Sequence, residues 1–482
     1  MWCAVIGVGL LTMAGSLPAA TYYVATDGDD SNNGLSTNAP FATPQKAVTF
    51  SALAPGDTIY IRGGTYALST QVKPGKTATT ANPIRLWAYP GEQPVLDFAP
   101  MSGSNKALDV RRDYWHVRGL RIKNAPSNGI FVGGLGVIIE GCIIHDCNND
   151  GLVLGSTSVR ATNALILNCD SYRNYEVGSG GNNGDGFAAK DGCWTGNVFR
   201  GCRAWDNADD GWDFYNNDRG VVLEGCWAFA NGFDRWGVGL GWTGNGNGFK
   251  LGGEGTAGEH TLTNCIAFGN RSKGFDHNNG DAGQTMVNCT SYNNGAANFS
   301  FYETPSKGTL LRNVFINNAS LGVVLTNLAA NSLQISNSWQ LTPVTAADFA
   351  SLNTLVATNA RNADFSLPAN NLFRLAPGSA LIDRGFSVGL PFNGDAPDLG
   401  AFEFDVITPP PVLQLFAPGW TNSGFVLRVS GATGNGAVVL LASDGSNGWT
   451  PIGTNSSAPE ILFVDTTAML LDHRLYRATQ QP

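Results

Sequence analysis

A cysteine and an asparagine recur at a fixed spacing along this chain, and the repeat limits the folds that the chain can adopt. The asparagine follows the cysteine by five residues at Cys169/Asn174, Cys202/Asn207, Cys226/Asn231, Cys265/Asn270 and Cys289/Asn294. A last copy has Asn313 in the cysteine place and Asn318 in the asparagine place. Copies as close as 24 residues apart are typical of stacked units that bury a core only together.

A glycine followed by an aromatic residue aligns the same units, at Gly186-Phe187, Gly211-Trp212, Gly248-Phe249 and Gly274-Phe275. The residues before the glycine form one column, which reads Asp150, Asp185, Asp210, Asn247 and Lys273. The residues two positions after the glycine form another, which reads Val153, Ala188, Asp213, Lys250 and Asp276. In parallel strands that are in register, members of a column lie about 4.8 Å apart.

Composition agrees with an all-β solenoid. The 61 glycines and the 14% of charged residues suit a chain that turns every few residues and disfavour a helical bundle. The cysteine column is expected to face inward as free thiols, because strands about 4.8 Å apart fit poorly the Cβ separation of about 3.8 Å in a disulfide. The asparagine column is interpreted as structural, since stacked amides can bond to one another.

The chain divides into four predicted parts. Residues 1–20 contain an apolar run that ends in small residues and read as a signal peptide. Residues 21–405 hold the repeat and form the predicted catalytic domain, with a short capping helix that begins at Thr43-Pro44. Residues 406–412 are a proline-rich linker. Residues 413–482 alternate like the strands of a small β-sandwich and read as an accessory module.

Charge and hydropathy limit the kinds of partner that the chain can bind. The net charge of −9 disfavours nucleic acid and anionic membranes as general partners. After the signal segment, nothing approaches the roughly 20 apolar residues of a membrane span. We therefore expect a monomeric protein that is secreted to the extracellular space or the periplasm. If its substrate is a polyanion, local positive charge must overcome the repulsion.

Four aspartates are predicted to form a calcium site. The alignment stacks Asp185 on Asp210, puts Asp209 beside them and puts Asp213 across the turn. Two unit charges about 5 Å apart repel by roughly 3 kcal/mol at an effective dielectric constant near 20, so such a cluster calls for a counter-ion. Carboxylate oxygens without histidine or cysteine favour calcium. The alternative is a row of solvated aspartates in polar turns.

Lys250 is the candidate catalytic base. It occupies the column of Asp213, one turn further on, and a lysine there could also simply pair with Asp213 or Asp276. A bound cation would neutralise Asp213 and lower the pKa of a nearby ammonium, which favours the neutral amine that a base requires. A metal beside a single base suggests β-elimination at a uronic acid, with the C5 proton removed by Lys250.

An insertion between Asn231 and Gly248 interrupts the repeat and carries Arg235, Trp236 and Trp242. We expect it to form a wall of a substrate cleft. Arg235, Arg271 and Lys273 are candidate ligands for uronate carboxylates, with structural ion pairing as the alternative.

The chain resembles the family-nine polysaccharide lyases in three motifs, NGDGFAAK, NADDGWDFY and NGNGFKLGG. These are pectate lyases built on a right-handed parallel β-helix, and the resemblance covers most of residues 21–405. It implies calcium ligands at Asp185, Asp209, Asp210 and Asp213, Lys250 as the Brønsted base, polygalacturonate as the substrate and an alkaline optimum. Residues 413–482 lie outside this resemblance.

Other readings remain open at the level of sequence. A polygalacturonase-type hydrolase shares the solenoid but needs paired carboxylates that flank the cleaved bond. A lyase on another uronic-acid polysaccharide would use the same site. A non-catalytic adhesin stabilised by calcium would give no role to Lys250.

Overall fold

A computed structural model describes residues 19–256, 258–302, 312–322, 328–341, 343–404, 413–430, 437–443, 449–456, 458, 460–468 and 474–480. The chain separates into two compact units between Phe404 and Asp405. The signal segment, up to residue 18, and the proline-rich linker lie outside the described residues.

Three parallel sheets of twelve, ten and eight strands run the length of the first unit in its described residues. The first sheet contains, in order, Thr21–Val24, Thr58–Ile61, Ile84–Ala88, Trp115–Arg118, Ile138–Glu140, Leu165–Leu167, Val198–Arg200, Val222–Glu224, Thr261–Thr263, Thr285–Val287, Val314–Ile316 and Leu333–Ile335. The second contains Gly64–Ala67, Pro94–Asp97, Arg121–Lys123, Ile143–His145, Asp170–Tyr172, Arg203–Trp205, Trp227–Phe229, Ile266–Phe268, Thr290–Tyr292 and Ala319–Leu321. The third contains Leu108–Val110, Ile130–Val132, Leu152–Leu154, Phe187–Ala188, Trp212–Asp213, Phe249–Lys250, Lys273–Asp276 and Ala297–Ser300.

The chain visits the first, second and third sheets in turn, which makes the unit a right-handed parallel β-helix, as the sequence predicted. A single left-handed residue turns the chain between the first and second sheets. Glycine or asparagine holds most of these positions, for example Gly201 at φ 62° and Asn264 at φ 54°. These residue types tolerate positive φ best, so the spacing of glycine and asparagine fixes where each coil bends.

Aromatic side chains fill the interior behind the third sheet. Phe187, Trp212, Phe249, Phe275 and Phe299 stack with ring centroids 4.7–5.0 Å apart. This distance matches the strand spacing, so each ring packs on the ring of the next coil. The glycine before each ring is needed because space is short there. A Cβ on Gly211 would lie 2.6 Å from the carbonyl oxygen of Gly248.

The two repeated polar columns lie inside the coil. Cys202, Cys226, Cys265 and Cys289 are buried and unpaired, so the prediction of free thiols is confirmed. The amide of each asparagine bonds to the next from Asn174 to Asn294 at 2.9–3.0 Å, and Asn294 then bonds to Asn298 rather than Asn318. Asn318 bonds to Asn337. The asparagine column is therefore structural, as predicted.

Short helices and a returning segment complete the first unit. The helix Pro44–Val48 is capped by the Thr43 hydroxyl, which accepts from the Lys46 amide. A second helix spans Ser338–Leu341, and 3-10 turns span Val177–Ser179, Gly239–Gly241, Ala346–Asp348 and Thr354–Thr358. Residues 343–404 return along the second sheet, where Phe349, Leu372 and Phe373 pack against Trp227 and Phe268. Repeat spacing did not predict this cover.

The second unit has its own small core. Two three-stranded antiparallel sheets form it, Gln414–Thr421 with Gly424–Ser430 and Glu460–Asp465, and Thr450–Asn455 with Val438–Ser443 and Leu475–Gln480. Leu427, Val429, Val438, Leu440 and Phe463 are buried in its core. This arrangement confirms the predicted sandwich-like module.

Candidate active site

The outer face of the third sheet carries the column that the sequence alignment predicted. Strand pairing places Val153 beside Ala188, Ala188 beside Asp213, Asp213 beside Lys250 and Lys250 beside Asp276. Because these residues alternate with the inward aromatic rings, their side chains leave the core on the same face of the sheet. The strand register therefore places Lys250 between Asp213 and Asp276 on this face.

Four carboxylates meet at this point. One oxygen of each of Asp185, Asp209, Asp210 and Asp213 lies within 4.8 Å of the others. Their exposed fractions are 0%, 0%, 0% and 2%. We call this group the acidic cluster. A row of solvated turn aspartates, the alternative weighed from the sequence, does not describe four side chains so deeply buried.

Backbone amides hold the stacked carboxylates in place. Oδ1 of Asp185 accepts from the Asp210 amide at 2.8 Å, and Oδ1 of Asp210 accepts from the Asn247 amide at 2.6 Å. Oδ2 of Asp185 lies 2.5 Å from Nζ of Lys190, and Oδ2 of Asp210 lies 3.3 Å from Nζ of Lys250. One oxygen of each carboxylate is thus fixed by the backbone, and the other faces a positive charge.

Burial makes the acidic cluster electrostatically strained. Desolvation and the charge of Asp185 raise the pKa of Asp209 to about 7. Desolvation and the charge of Asp209 raise the pKa of Asp210 well above its usual range. For Asp213, burial acts in the same direction, but the ammonium groups of Lys190 and Lys250 outweigh it and lower the pKa. Clustered carboxylates with raised pKa values are stabilised by any bound positive charge.

Lys250 touches the acidic cluster directly. Its Nζ lies 3.2 Å from Oδ2 of Asp213 and 3.3 Å from Oδ2 of Asp210, and its side chain is only 9% exposed. The ring of Tyr215 lies 5.6 Å from the same nitrogen. Burial disfavours the charged amine, but the carboxylates outweigh burial and raise the pKa of Lys250. The carboxylates of the acidic cluster therefore favour the ammonium form of Lys250.

Lys190 is a second amine in the site, and the sequence reasoning did not single it out. Its Nζ lies 2.5 Å from Oδ2 of Asp185, 3.2 Å from Oδ2 of Asp213 and 3.4 Å from Oδ1 of Asp150. The signal was present, because Lys190 follows Ala188 by two residues and alternation along a strand puts both on one face. It was missed because no other repeat unit has a lysine there.

The residues fit a hard divalent cation. All four donors are carboxylates, two of their buried oxygens already face lysine ammonium groups, and no histidine or cysteine belongs to the group. Calcium prefers oxygen donors of this kind and accepts several at once. Asp185, Asp209, Asp210 and Asp213 could hold such an ion.

The insertion before Gly248 lies beside the acidic cluster. Its Asn245 amide donates to Asp209, and its Trp236 ring stacks on Tyr175 with centroids 4.8 Å apart. The indole of Trp242 lies 6.2 Å from the same tyrosine. These contacts hold the insertion against the coils that carry Tyr175 and Asp209.

The three candidate substrate ligands have protein partners. Arg235 pairs with Asp206 at 2.8 Å, and Arg271 donates to the carbonyl of Gly244 at 2.6 Å. Lys273 pairs with Asp276 at 3.0 Å and lies in the strand that adjoins that of Lys250. Arg271 thus supports the insertion, and Lys273 is the one of the three that borders the column of Lys250.

In the part of the chain that the structure describes, no helix has the length and apolar character to cross a membrane.

Comparisons with known proteins point to one family. A family model described as "Pel9A-like, right handed beta helix region" matches residues 22–318. Pectate lyase L of Dickeya dadantii (strain 3937) is 39% identical over 394 residues, which cover 79% of this chain and 90% of that protein. The crystal structure of pectate lyase Pel9A superposes with a TM-score of 0.73 at 37% identity, covering 81% of this chain and 98% of that one. A rhamnogalacturonan lyase gives a TM-score of 0.67 at 27% identity, covering 74% and 97%.

Proposed function

Because the chain belongs to the family-nine pectate lyases, which are polysaccharide lyases, we propose that it cleaves polygalacturonate by calcium-dependent β-elimination with Lys250 as the base. Asp185, Asp209, Asp210 and Asp213 would hold the calcium ion. The apolar N-terminal segment supports action outside the cytoplasm, where a polymeric substrate is accessible.

One observation carries the proposal. Lys250 is nearly buried, and its Nζ lies 3.2 Å and 3.3 Å from two carboxylates of the acidic cluster, on the outer face of a sheet. A lysine that served only as a surface ion pair would contribute little to stability and would not require this burial. Placement beside a cation site, facing out of the coil, suits an amine that meets a substrate.

The residues divide the work between them. When bound, calcium would supply positive charge that binds a uronate carboxylate and stabilises the negative charge that develops there. Asp213 and Asp210, once neutralised, no longer hold the proton on Lys250. Lys250 Nζ then accepts the C5 proton of the uronate, a C4–C5 double bond forms, and the C4–O bond breaks with its electron pair left on the leaving sugar oxygen, which takes a proton from water. Lys273 and the insertion would orient the polymer along the sheet.

A hydrolase is less well supported. It requires two carboxyl groups on opposite sides of the cleaved bond, one to protonate the leaving oxygen and one to activate water or attack. Here the acidic side chains meet in one buried group and share a lysine. An adhesin would use the same calcium site but leaves the position of Lys250 without a purpose.

A second substrate has specific support. The superposition on this chain covers 97% of the rhamnogalacturonan lyase. Elimination at a galacturonate in that polymer would use the same base and the same metal. Rhamnogalacturonan is therefore the alternative substrate to polygalacturonate, and a parallel assay on both polymers decides between them.

The test of Lys250 is a substitution with two readouts. Lys250→Ala should reduce formation of the unsaturated, ultraviolet-absorbing product from polygalacturonate by about 10²–10⁴-fold, which is the contribution typical of general-base catalysis. Calcium binding, measured by calorimetric titration, should persist. Chelation of calcium should abolish product formation by the unchanged enzyme.

Lys123→Ala is the matched control, because Lys123 is also an ion-paired lysine, 2.9 Å from Asp97, but lies on the second sheet. It should leave turnover unchanged. Substantial turnover by Lys250→Ala would exclude Lys250 as the base. Reducing ends without ultraviolet absorbance would show hydrolysis, and binding of the polymer without either product would show an adhesin.

A further inference from the structure

Two arginines and a tryptophan share one corner of the helix, where the chain passes from the third sheet to the first. Arg160, Trp194 and Arg219 come from three successive coils at this corner. The guanidinium carbon of Arg160 lies 4.3 Å from the centre of the Trp194 ring, and that of Arg219 lies 5.2 Å from it. Two cations are therefore held on a single indole.

Both arginines retain donors for a ligand. Arg160 makes no ion pair and no side-chain hydrogen bond with the described residues, and its side chain is exposed. Arg219 has one acidic neighbour, Asp218, at 3.7 Å, which is beyond hydrogen-bonding distance. Asp218 is 56% exposed, and such pairs contribute little. Asp191, the other acidic residue of this corner, accepts a hydrogen bond from the side-chain nitrogen of Asn216 at 2.9 Å.

The corner is rigid before any ligand arrives. The Trp194 amide donates to the carbonyl of Ala161, and the Trp194 carbonyl accepts from Asn197 at 2.8 Å. The side chain of Asn217 bonds to both the amide and the carbonyl of Arg219, at 3.2 Å and 3.1 Å. An arginine such as Arg219, whose backbone is hydrogen-bonded and whose side chain packs on a ring, loses less entropy on binding than a free one.

A cavity of about 320 Å³ opens at this corner. Arg160, Trp194 and Arg219 line it, together with the carboxylates of Asp191 and Asp218. Asp191 also lines the neighbouring cavity, which reaches Lys190 and Asp150 beside the acidic cluster. The corner follows the strands of the third sheet in the chain and the insertion precedes one of them, so the two lie at opposite edges of that sheet.

We propose that Arg160 and Arg219, held on Trp194, form a subsite that binds a carboxylate of the acidic polymer at a sugar other than the one cleaved. This inference rests on the proposed function, since it takes a uronate polymer as the ligand. A guanidinium group presents a planar pair of donors that matches a carboxylate. The subsite supplies the local positive charge that a chain of net charge −9 needs to attract a polyanion.

The experiment measures how the kinetics depend on substrate length. Unsaturated product is followed for oligogalacturonides from three sugars upward and for the polymer, with wild-type enzyme and with Arg160→Gln/Arg219→Gln. The variant should raise KM for the longest substrates about tenfold and leave kcat unchanged within about twofold, because it removes binding shared by substrate and transition state. The shortest cleavable oligomer should show no change in KM.

Arg200→Gln is the control for positive charge lost elsewhere on the chain, because it removes one exposed arginine that pairs with Glu224 on the first sheet. It should behave as the wild type at every length. Arg160→Lys/Arg219→Lys keeps the two positive charges but loses the planar pair of guanidinium donors. Its KM for long substrates should therefore lie between those of the wild type and the glutamine variant. The same length profile for the glutamine variant and the wild type would overturn the subsite. Absence of unsaturated product from the wild type at any length would instead overturn the proposed function.

Discussion

At the scale of single residues, Lys190 decides how much positive charge the acidic cluster already holds. Its Nζ lies 2.5 Å from Asp185 and 3.2 Å from Asp213, so it uses the oxygens that a divalent ion would also use. Its pKa is raised, since the charges of Asp150, Asp185 and Asp213 outweigh the effect of burial. Lys190 therefore neutralises part of the acidic cluster and would compete with a divalent cation for the same oxygens.

We expect Lys190→Met to tighten calcium binding by at least about tenfold, because two unit charges about 4 Å apart interact by roughly 4 kcal/mol at an effective dielectric constant of 20. Calorimetric titration with calcium measures this. Lys273→Met is the control, because the ammonium of Lys273 pairs with Asp276 instead. Weaker calcium binding in Lys190→Met would mean that this lysine orders the carboxylates and does not compete.

The column of Lys250 shows how far single residues could be placed from sequence. Aligning glycine–aromatic pairs correctly put Asp213, Lys250 and Asp276 in register, because one buried ring per coil fixes the phase of every neighbour. The same alignment missed Lys190, since the loop after the strand has no repeated residue type. A repeat predicts the positions that it repeats and says little about residues that occur once.

At the scale of elements, a buried ion-pair group fastens the returning segment to the second sheet. Asp170 accepts from Arg203 at 2.9 Å and 2.7 Å, and from Arg361 at 2.9 Å and 2.7 Å. Arg361 also donates to the carbonyls of Cys169 and Gly201. These contacts join residues that are 191 positions apart, and no local pattern in the sequence predicts them.

Asp170→Asn should lower the free energy of unfolding by about 3–5 kcal/mol, because it leaves two buried guanidinium groups without their anion. Thermal and urea unfolding measure the change. Asp206→Asn breaks the half-exposed pair with Arg235 and should cost less than about 1 kcal/mol. Equal losses in the two variants would show that the Asp170 group does not fasten the segment.

At the scale of the whole molecule, the two units bury separate cores. Leu427, Val438 and Phe463 belong to the core of the second unit, and the aromatic stack belongs to the first. The sequence indicated this division because the cysteine–asparagine repeat is absent after the proline run and strand-like alternation takes its place. The cover of the second sheet by residues 343–404 was not predicted, because its contacts depend on the finished helix.

A chain that ends at Phe404 should keep the melting temperature of the first unit within about 2 °C, which corresponds to less than about 1 kcal/mol at this size. Calorimetry on the full chain and on the truncated chain measures this, and turnover of soluble polygalacturonate should be equal. A chain that ends at Leu341 should unfold or aggregate, since it uncovers Phe268 and the second sheet. A large loss of stability in the first truncation would show that the units stabilise each other.

The asparagine ladder has a consequence for how such a protein can be altered. Asn207 and Asn231 are 24 residues apart and bond at 3.0 Å, whereas Asn231 and Asn270 are 39 apart and bond at 2.9 Å. The asparagine ladder thus tolerates a longer connection within one coil and continues with the same hydrogen bond in the next. We therefore expect bends of this kind to accept grafted loops while the hydrogen bonds of the asparagine ladder beneath them are preserved.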